Sequence, residues 1–426
     1  MSLRFAALAA VASALSSLCP AYAADRLTLD DAFSRAAASH PDLRLIEAHR
    51  NVLAAEQARS AQRPTWVAGA SIENAFGTGE TSALDSAELT LTLASVLERG
   101  GKLDARRTLA QTRIDALAVE REKRRLDLLA EVARRYLAVV GTEHRAAIAK
   151  LDIEQRQRTV AGARHRLRAG ASPESALLTA EAALAKAELD QVRGQQQRQA
   201  ARQHLAALWG EREPNFTVAA ADPLVLPPIA DFTALTTLLD RTPELTQFAD
   251  ERRIREARLQ LARSEASADL EWQVGVRQLR ATDDVALIGG FSLPVGARRR
   301  AQPEIDAGEA ELAALEIERE AEALSLYSTL VEAHGRYTVA QIEVARLGSD
   351  VLPKLADAES AAERAYRAGA ISYLEWAQLQ SERTAARKQQ LDTALDAQRA
   401  LIEIQRLTGD AFVATPATHP LEGATP

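Results

Sequence analysis

The sequence is short of several residue types, and each shortage excludes something. It has one Cys and one Met in 426 residues, which argues against disulfide frameworks, thiol redox chemistry, cysteine nucleophiles and zinc-thiolate sites. Aromatic residues are only 4%, too few for an ordinary globular core, where large rings dominate the packing energy. The seven His are scattered, and no pair has the i, i+4 spacing of a helical metal site. Lys and Arg number 52 against 59 Asp and Glu, a net charge of −7, so there is no basic surplus for nucleic acid. Beyond the N-terminal segment no apolar run reaches the ~18–20 residues of a membrane-spanning helix. What remains is rich in Ala, Leu, Arg, Gln and Glu, the composition of long helices packed on helices.

The lone Cys and Met both fall in a segment that reads as a secretory signal, residues 1–23. Arg4 is its charged start, Phe5 to Leu18 its apolar stretch, and Ala21-Tyr22-Ala23 its cleavage site. Cys19 is open to a lipoprotein reading, but Leu18 stands where a small residue is wanted and Pro20 follows. Without this segment the chain has no Cys or Met and a net charge of −8, since only Arg4 is lost. It then lacks the Met clusters that suit soft Cu(I).

Self-comparison shows a unit written twice. Arg168-Ala169-Gly170-Ala171 recurs as Arg367-Ala368-Gly369-Ala370, and Gly210 as Gly409, both at an offset of 199. Pro41-Asp42-Leu43 matches Pro243-Glu244-Leu245, while Arg59-Ser60 and Trp66 match Arg263-Ser264 and Trp272. The spacing predicts a helix over Leu29–Arg63, then two strands. Trp66, Ala68, Ala70 and Ile72 share one strand face, as do Leu89, Leu91 and Leu93. After Gly100-Gly101 an unbroken pattern predicts a helix from Lys102 to Arg168, with a 3-4-3-4 seam at Leu126, Leu129, Ala133, Tyr136 and Val140. Gly170 breaks it; Ser172 and Pro173 are expected as N-cap and first residue of a return helix ending at Gly210. The second half repeats this plan. A helix is expected over Phe232–Ser267, and strands through Leu270, Trp272, Val274, Val276 and through Val285, Leu287, Phe291, Leu293. A long helix from about Pro303 to Arg367 and a return to Leu407 complete it.

Four strands with an apolar outer face cannot close a membrane barrel, which needs at least about eight. Three chains would supply twelve. The competing reading of the same alternation is a small soluble sheet packed on helices.

The ordered set of motifs resembles the TolC family of outer-membrane factors, and within it the CzcC-type branch of heavy-metal efflux ducts. Carrying it are Leu27-Thr28-Leu29-Asp30-Asp31-Ala32-Phe33, Glu98-Arg99-Gly100-Gly101-Lys102, Leu208-Trp209-Gly210, Ser292-Leu293-Pro294-Val295 and Ala365-Tyr366-Arg367-Ala368-Gly369. The resemblance implies a mainly α fold with a small β part. Long antiparallel coiled-coil helices would form a periplasmic tunnel, and four strands per chain would join a trimeric twelve-stranded barrel. It implies the outer membrane of a Gram-negative bacterium, contact with its lipid, and docking to a periplasmic adaptor and an inner-membrane pump of the resistance–nodulation–division class. The expected division is signal 1–23, first repeat 24–222, second repeat 223–412 and tail 413–426.

The resemblance also places a gate and docking tip at the helix turns. Arg168, Gly170, Arg367 and Gly369 are the docking candidates. Glu375 matches an acidic pore-ring position, the next ring position holds Gln378, and Tyr366 matches a gate-locking tyrosine. The locking arginine is replaced by Ile371, and its acidic partner by Ala176. Plainer roles stand beside these. Ser372 to Glu375 spells a capping box, Gly170 and Gly369 suit left-handed helix caps, and Tyr366 suits packing. Three Glu375 carboxylates meeting on an axis would attract cations and raise one another's pKa. His165 is near a tip, but no metal site or cofactor is expected. No nucleophile–base constellation stands out, so no enzyme is expected. The rival reading is a periplasmic adaptor or coiled-coil scaffold.

Overall fold

The computed structural model describes residues 25–412. The expected signal segment, Cys19 and the 413–426 tail lie outside them.

β1 (Asp25–Leu27) leads into α1 (Leu29–Ser39) through a capping box, in which the Thr28 hydroxyl accepts from the Asp31 N–H and the Asp31 carboxylate from the Thr28 N–H. α2 (Pro41–Ser60) follows at once. The single helix expected over Leu29–Arg63 is therefore two. Proline disfavours helical geometry at the residue before it and suits a first helical position, so His40 is extended and caps α2. β2 (Val67–Glu73) and β3 (Glu88–Leu97) come next. α3 (Lys102–Arg168) then runs 67 residues without interruption, about 100 Å at ~1.5 Å per residue. α4 (Glu174–Ala206) returns, capped by Pro173 rather than by the expected Ser172. β4 (Phe216–Val218) pairs in parallel with β1, a match of three-residue strands too short to show any period.

The second half follows the same order with its own interruptions. α5 (Phe232–Leu238) and α6 (Pro243–Glu265) replace the expected single helix, and Pro243 opens α6 as Pro41 opens α2. β5 (Leu270–Leu279) and β6 (Asp284–Ser292) follow, with Leu293 just past the strand where it was expected to continue. α7 (Ala297–Arg346) starts six residues before the expected Pro303, directly after Gly296 at φ 91°. That start matches α3, which begins after Gly101 at φ 75°. One π turn, Leu347–Val351, separates α7 from α8 (Leu352–Ala368). Pro353 explains it, since proline has no N–H and crowds the carbonyl four residues back, and a π turn absorbs such a misfit. α9 (Tyr373–Thr408) closes the chain.

Packing keeps the internal symmetry. The Tyr136 hydroxyl of α3 donates to the Leu27 carbonyl, and the Tyr337 hydroxyl of α7 donates to the Pro227 carbonyl. Burial pushes both phenols up to about 12. Each tyrosine sits in its own apolar cluster, one joining α1, α3 and β4, the other joining α5, α7 and α9. Arg406 of α9 ties the halves together by pairing with Glu244 at 2.8 Å and Glu403 at 2.9 Å, while Arg134 of α3 reaches Glu403 at 2.9 Å.

Candidate functional site

Two regions stand out: a sheet whose apolar face is uncovered, and the far end of the helices. The sheet is antiparallel in the order β2-β3-β5-β6. Its register sets Leu89, Leu91 and Leu93 beside Ile72, Ala70 and Ala68, and Leu91 and Leu93 beside Val276 and Val274. β6 extends the row with Leu287 opposite Val276 and Phe291 opposite Trp272. This face is open, with Ile72 62%, Leu287 88% and Phe291 83% exposed. The opposite face is polar: Thr90 is buried there, and Arg277 pairs with Glu88 at 2.9 Å and donates to the Thr90 hydroxyl at 3.0 Å. A soluble sheet turns its apolar face to a core. Here the apolar face is the uncovered one and the polar face carries the buried contacts, the reverse of that arrangement. At the end joined to the helices, Trp66 meets Trp272 edge-on at 5.4 Å, and Trp272 neighbours Phe291.

The helical tip lies at the opposite end of α3. Gly170 at φ 69° and Gly369 at φ 81° terminate the two long helices as left-handed caps. In each, the following residue's N–H reaches back five positions, Ala171 to the Arg166 carbonyl and Ala370 to that of Ala365, both at 2.9 Å. Arg168, Arg367 and both glycines are exposed on these turns. Tyr366 is only 3% exposed and stacks on Trp376 at 5.0 Å. Around it pack Val160 and Ala163 of α3, Ala180 of α4, Ala362 of α8 and Tyr373 of α9. Burial pushes the Tyr366 hydroxyl above its usual range, partly offset by Arg166 and Ser172.

Ser372 and Glu375 form the complete capping box. The Glu375 carboxylate accepts from the Ser372 N–H at 2.8 Å and its hydroxyl at 2.9 Å. Those bonds hold its pKa below the ordinary carboxylate value within one chain. Glu375 and Gln378 are both exposed, and Gln378 donates to Glu382 at 3.0 Å. His165 is exposed too. Among the described residues, no three His, Cys, Asp or Glu side chains are grouped to hold a metal, and no helix is long and apolar enough to cross a membrane.

Sequence reasoning missed Arg166. Its guanidinium lies over the Tyr366 ring, 4.8 Å from the centroid, and donates to the carbonyls of Tyr366 and, at 3.1 Å, Ala171. It thus bridges the first turn to the second. Its Nε, the Tyr366 hydroxyl and the Trp376 Nε1 are buried without a hydrogen-bond partner. No local pattern marks Arg166, because its partner is 200 residues away. Tyr373 and Trp376 were discoverable: with Tyr366 they put three rings within eleven residues of a chain that is 4% aromatic.

Residues 32–211 match the family model described as outer membrane efflux protein. The chain is 26% identical over 314 residues to the cobalt-zinc-cadmium resistance protein CzcC of Cupriavidus metallidurans, covering 74% of this chain and 75% of that one. Among solved structures it is similar to CusC, with a TM-score of 0.75 and 18% identity over 90% of this chain and 92% of that one. It is also similar to the open MtrE outer-membrane channel of Neisseria gonorrhoeae, with a TM-score of 0.70 and 16% identity over 92% and 91%. CusC and MtrE are channels, and the fold shared with them runs through both halves of this chain. Residues 32–211 thus carry the likeness to the outer membrane efflux protein family, and the fold shared with the solved channels extends beyond them.

Proposed function

We propose that the chain is one third of a homotrimeric exit duct that passes heavy-metal cations outward across the outer membrane. The observation that carries this is the uncovered apolar sheet with free edges at β2 and β6. Open edges are not stable in lipid. Joining β6 of one copy to β2 of the next removes every edge when three copies close twelve strands. An exposed apolar seam on α7 supports side-by-side copies: Ile317, Leu324 and Val331 recur every seventh residue and are 69%, 63% and 44% exposed.

The duct acts without chemistry. A periplasmic adaptor would meet the turns at Arg168–Gly170 and Arg367–Gly369, linking the duct to an inner-membrane pump of the resistance–nodulation–division class. The gate would be the tip itself. Tyr366 and Arg166 hold the two hairpins together by stacking and two carbonyl contacts, and the three buried donors left unpaired reduce the net stability of the closed packing. Glu375, exposed beside this junction, would face the axis as a cation-attracting ring while still capping α9. The metal assignment rests on likeness to a protein named for cobalt, zinc and cadmium resistance. The adaptor reading is less favoured, because adaptors place one helical hairpin between β-rich halves and this chain has two.

Membrane fractionation with mass measurement in detergent tests the assembly; a soluble periplasmic monomer would end the proposal. Gene deletion followed by growth on zinc, cadmium, cobalt, copper and organic toxins tests the cargo. Sensitivity to organic compounds alone would remove the metal assignment.

A further inference from the structure

We propose that Arg298, Arg299 and Arg300 form a binding collar for anionic phospholipid headgroups in the leaflet nearest the helices. The inference rests on reading the sheet as part of a membrane barrel. These three residues open α7 immediately below β6, and all are exposed. None of their side chains has a hydrogen-bond or ion-pair partner among the described residues. They also sit at the wrong end of a helix, whose N-terminus is electropositive and disfavours cations, and no acidic residue occupies that first turn.

The start of α3, the corresponding helix of the first half, shows that the fold can neutralise such charges. There Lys102 pairs with Asp269 at 2.8 Å, and Arg106 grips Glu98 with two bonds at 2.6 and 2.7 Å. The second half breaks the helix-charge rule and supplies no internal partner, which points to an external anion.

The surroundings fix which one. Phe291, Leu293 and Val295, directly above the arginines, are 83%, 47% and 100% exposed. The Trp66–Trp272 pair lies at the same end of the sheet, and tryptophan favours the headgroup level. The arginines thus follow an apolar and aromatic band, where phosphate oxygens begin, and guanidinium forks fit those oxygens. The far end of the sheet has the opposite bias, with Glu73, Asp85, Glu88, Asp283 and Asp284 against Arg277 and Arg280. On barrel closure the neighbouring copy would bring the end of α2, with its exposed Arg63, and so add positive charge rather than a partner.

The test uses the full chain as a trimer in phosphatidylethanolamine nanodiscs with trace dansyl-phosphatidylglycerol or dansyl-phosphatidylethanolamine. Energy transfer from the rim tryptophans reports which lipid gathers there. Each arginine near an anionic surface is worth about a fivefold preference. Joint Arg298→Gln, Arg299→Gln and Arg300→Gln substitution should therefore reduce the phosphatidylglycerol preference by about tenfold or more. Joint substitution to Lys should keep most of it. Removing three exposed charges elsewhere, Arg121→Gln, Arg319→Gln and Arg364→Gln, should leave it unchanged. Equal preference in the Gln variant, or an equal loss in the distant control, overturns the proposal. Failure of the unsubstituted chain to insert overturns the barrel reading beneath it.

Discussion

The first hairpin turns at Gly170 into a helix that begins after Pro173 with no side-chain cap. The second turns at Gly369 into Ser372, Glu375 and a complete capping box. The backbone of the two turns is the same, down to the five-residue reach of Ala171 and Ala370. The difference is chemical. Rings are concentrated in the second half, which holds Tyr366, Tyr373 and Trp376 and whose Glu375 closes a capping box; the first half contributes apolar residues and Arg166, and its first-turn Glu174 closes no such box. The two turns share the geometry that lets long helices reverse together. The residues proposed for gating lie mostly on the second turn.

The largest test of that asymmetry compares Tyr366 with Leu167, its counterpart at the 199-residue offset. Tyr366→Ala empties a buried ring site, and such truncations cost about 3–5 kcal/mol. Hydrogen exchange at residues 366–376 of the assembled protein should speed up accordingly. Leu167→Ala removes a half-buried side chain and should cost about 1–2 kcal/mol. Equal losses would mean that the two turns carry the tip alike.

Arg166→Gln comes next. It removes the cation over the Tyr366 ring, worth about 0.5–1 kcal/mol where solvent reaches it, and weakens two carbonyl contacts worth about 1 kcal/mol each. The Gly369 and Ala370 amides should exchange faster, and single channels should spend more time open. Arg166→Lys should not restore the closed state, since an ammonium cannot span both carbonyls as a guanidinium fork does. Unchanged exchange in Arg166→Gln would leave the hairpins joined by apolar packing alone.

Capping is a smaller effect and can be moved between halves. Ser372→Ala should loosen the start of α9 by about 1 kcal/mol. Pro173→Ser with Ala176→Glu writes the same box into the first hairpin; it should slow exchange at the start of α4 and raise cation over anion permeability. Glu375→Ala should lower that permeability ratio, and an unchanged reversal potential would leave Glu375 only its capping role. The pH dependence follows from the depressed Glu375 pKa. Its contribution is complete above the ordinary carboxylate range and is lost as pH falls through the lowered value. Protection of the first turn of α9 should thus hold steady near neutrality and drop only in acid.

Much of this was legible in local patterns. Gly101, Gly170 and the absence of proline between them bound α3 to Lys102–Arg168 as read from the sequence, and alternation marked the four sheet strands, with Trp66 and Leu293 falling just outside β2 and β6. His40-Pro41 and Thr242-Pro243 mark breaks that the helical periodicity runs through, so each proline splits what reads as one helix. The β1–β4 pair was not legible, because three residues show no period and their partners are 191 apart in register. Arg166 was invisible for the same reason: which arginine covers Tyr366 depends on how the two hairpins pack. The uncovered state of the sheet's apolar face also needed the fold, since alternation alone fits a soluble sheet equally well.

The smallest prediction concerns the shafts rather than the tips. α3 passes unbroken through Glu154, the position that matches Pro353 in the second half at the same offset. At Pro353 the long helix instead carries the π turn Leu347–Val351. If proline's missing N–H and crowded ring cause that turn, Pro353→Ala should let the segment relax into α-helix and gain one backbone hydrogen bond. Exchange across residues 347–353 should then slow by about fivefold, the effect of about 1 kcal/mol. The Tyr366–Arg166 junction should keep its protection, because Glu359 in the shaft below it remains paired with Arg383 of α9 at 2.6 Å. A π turn that persists without the proline would assign its cause to the register between α8 and α9. The second shaft would then be held out of regular helix by the same packing that sets its tip.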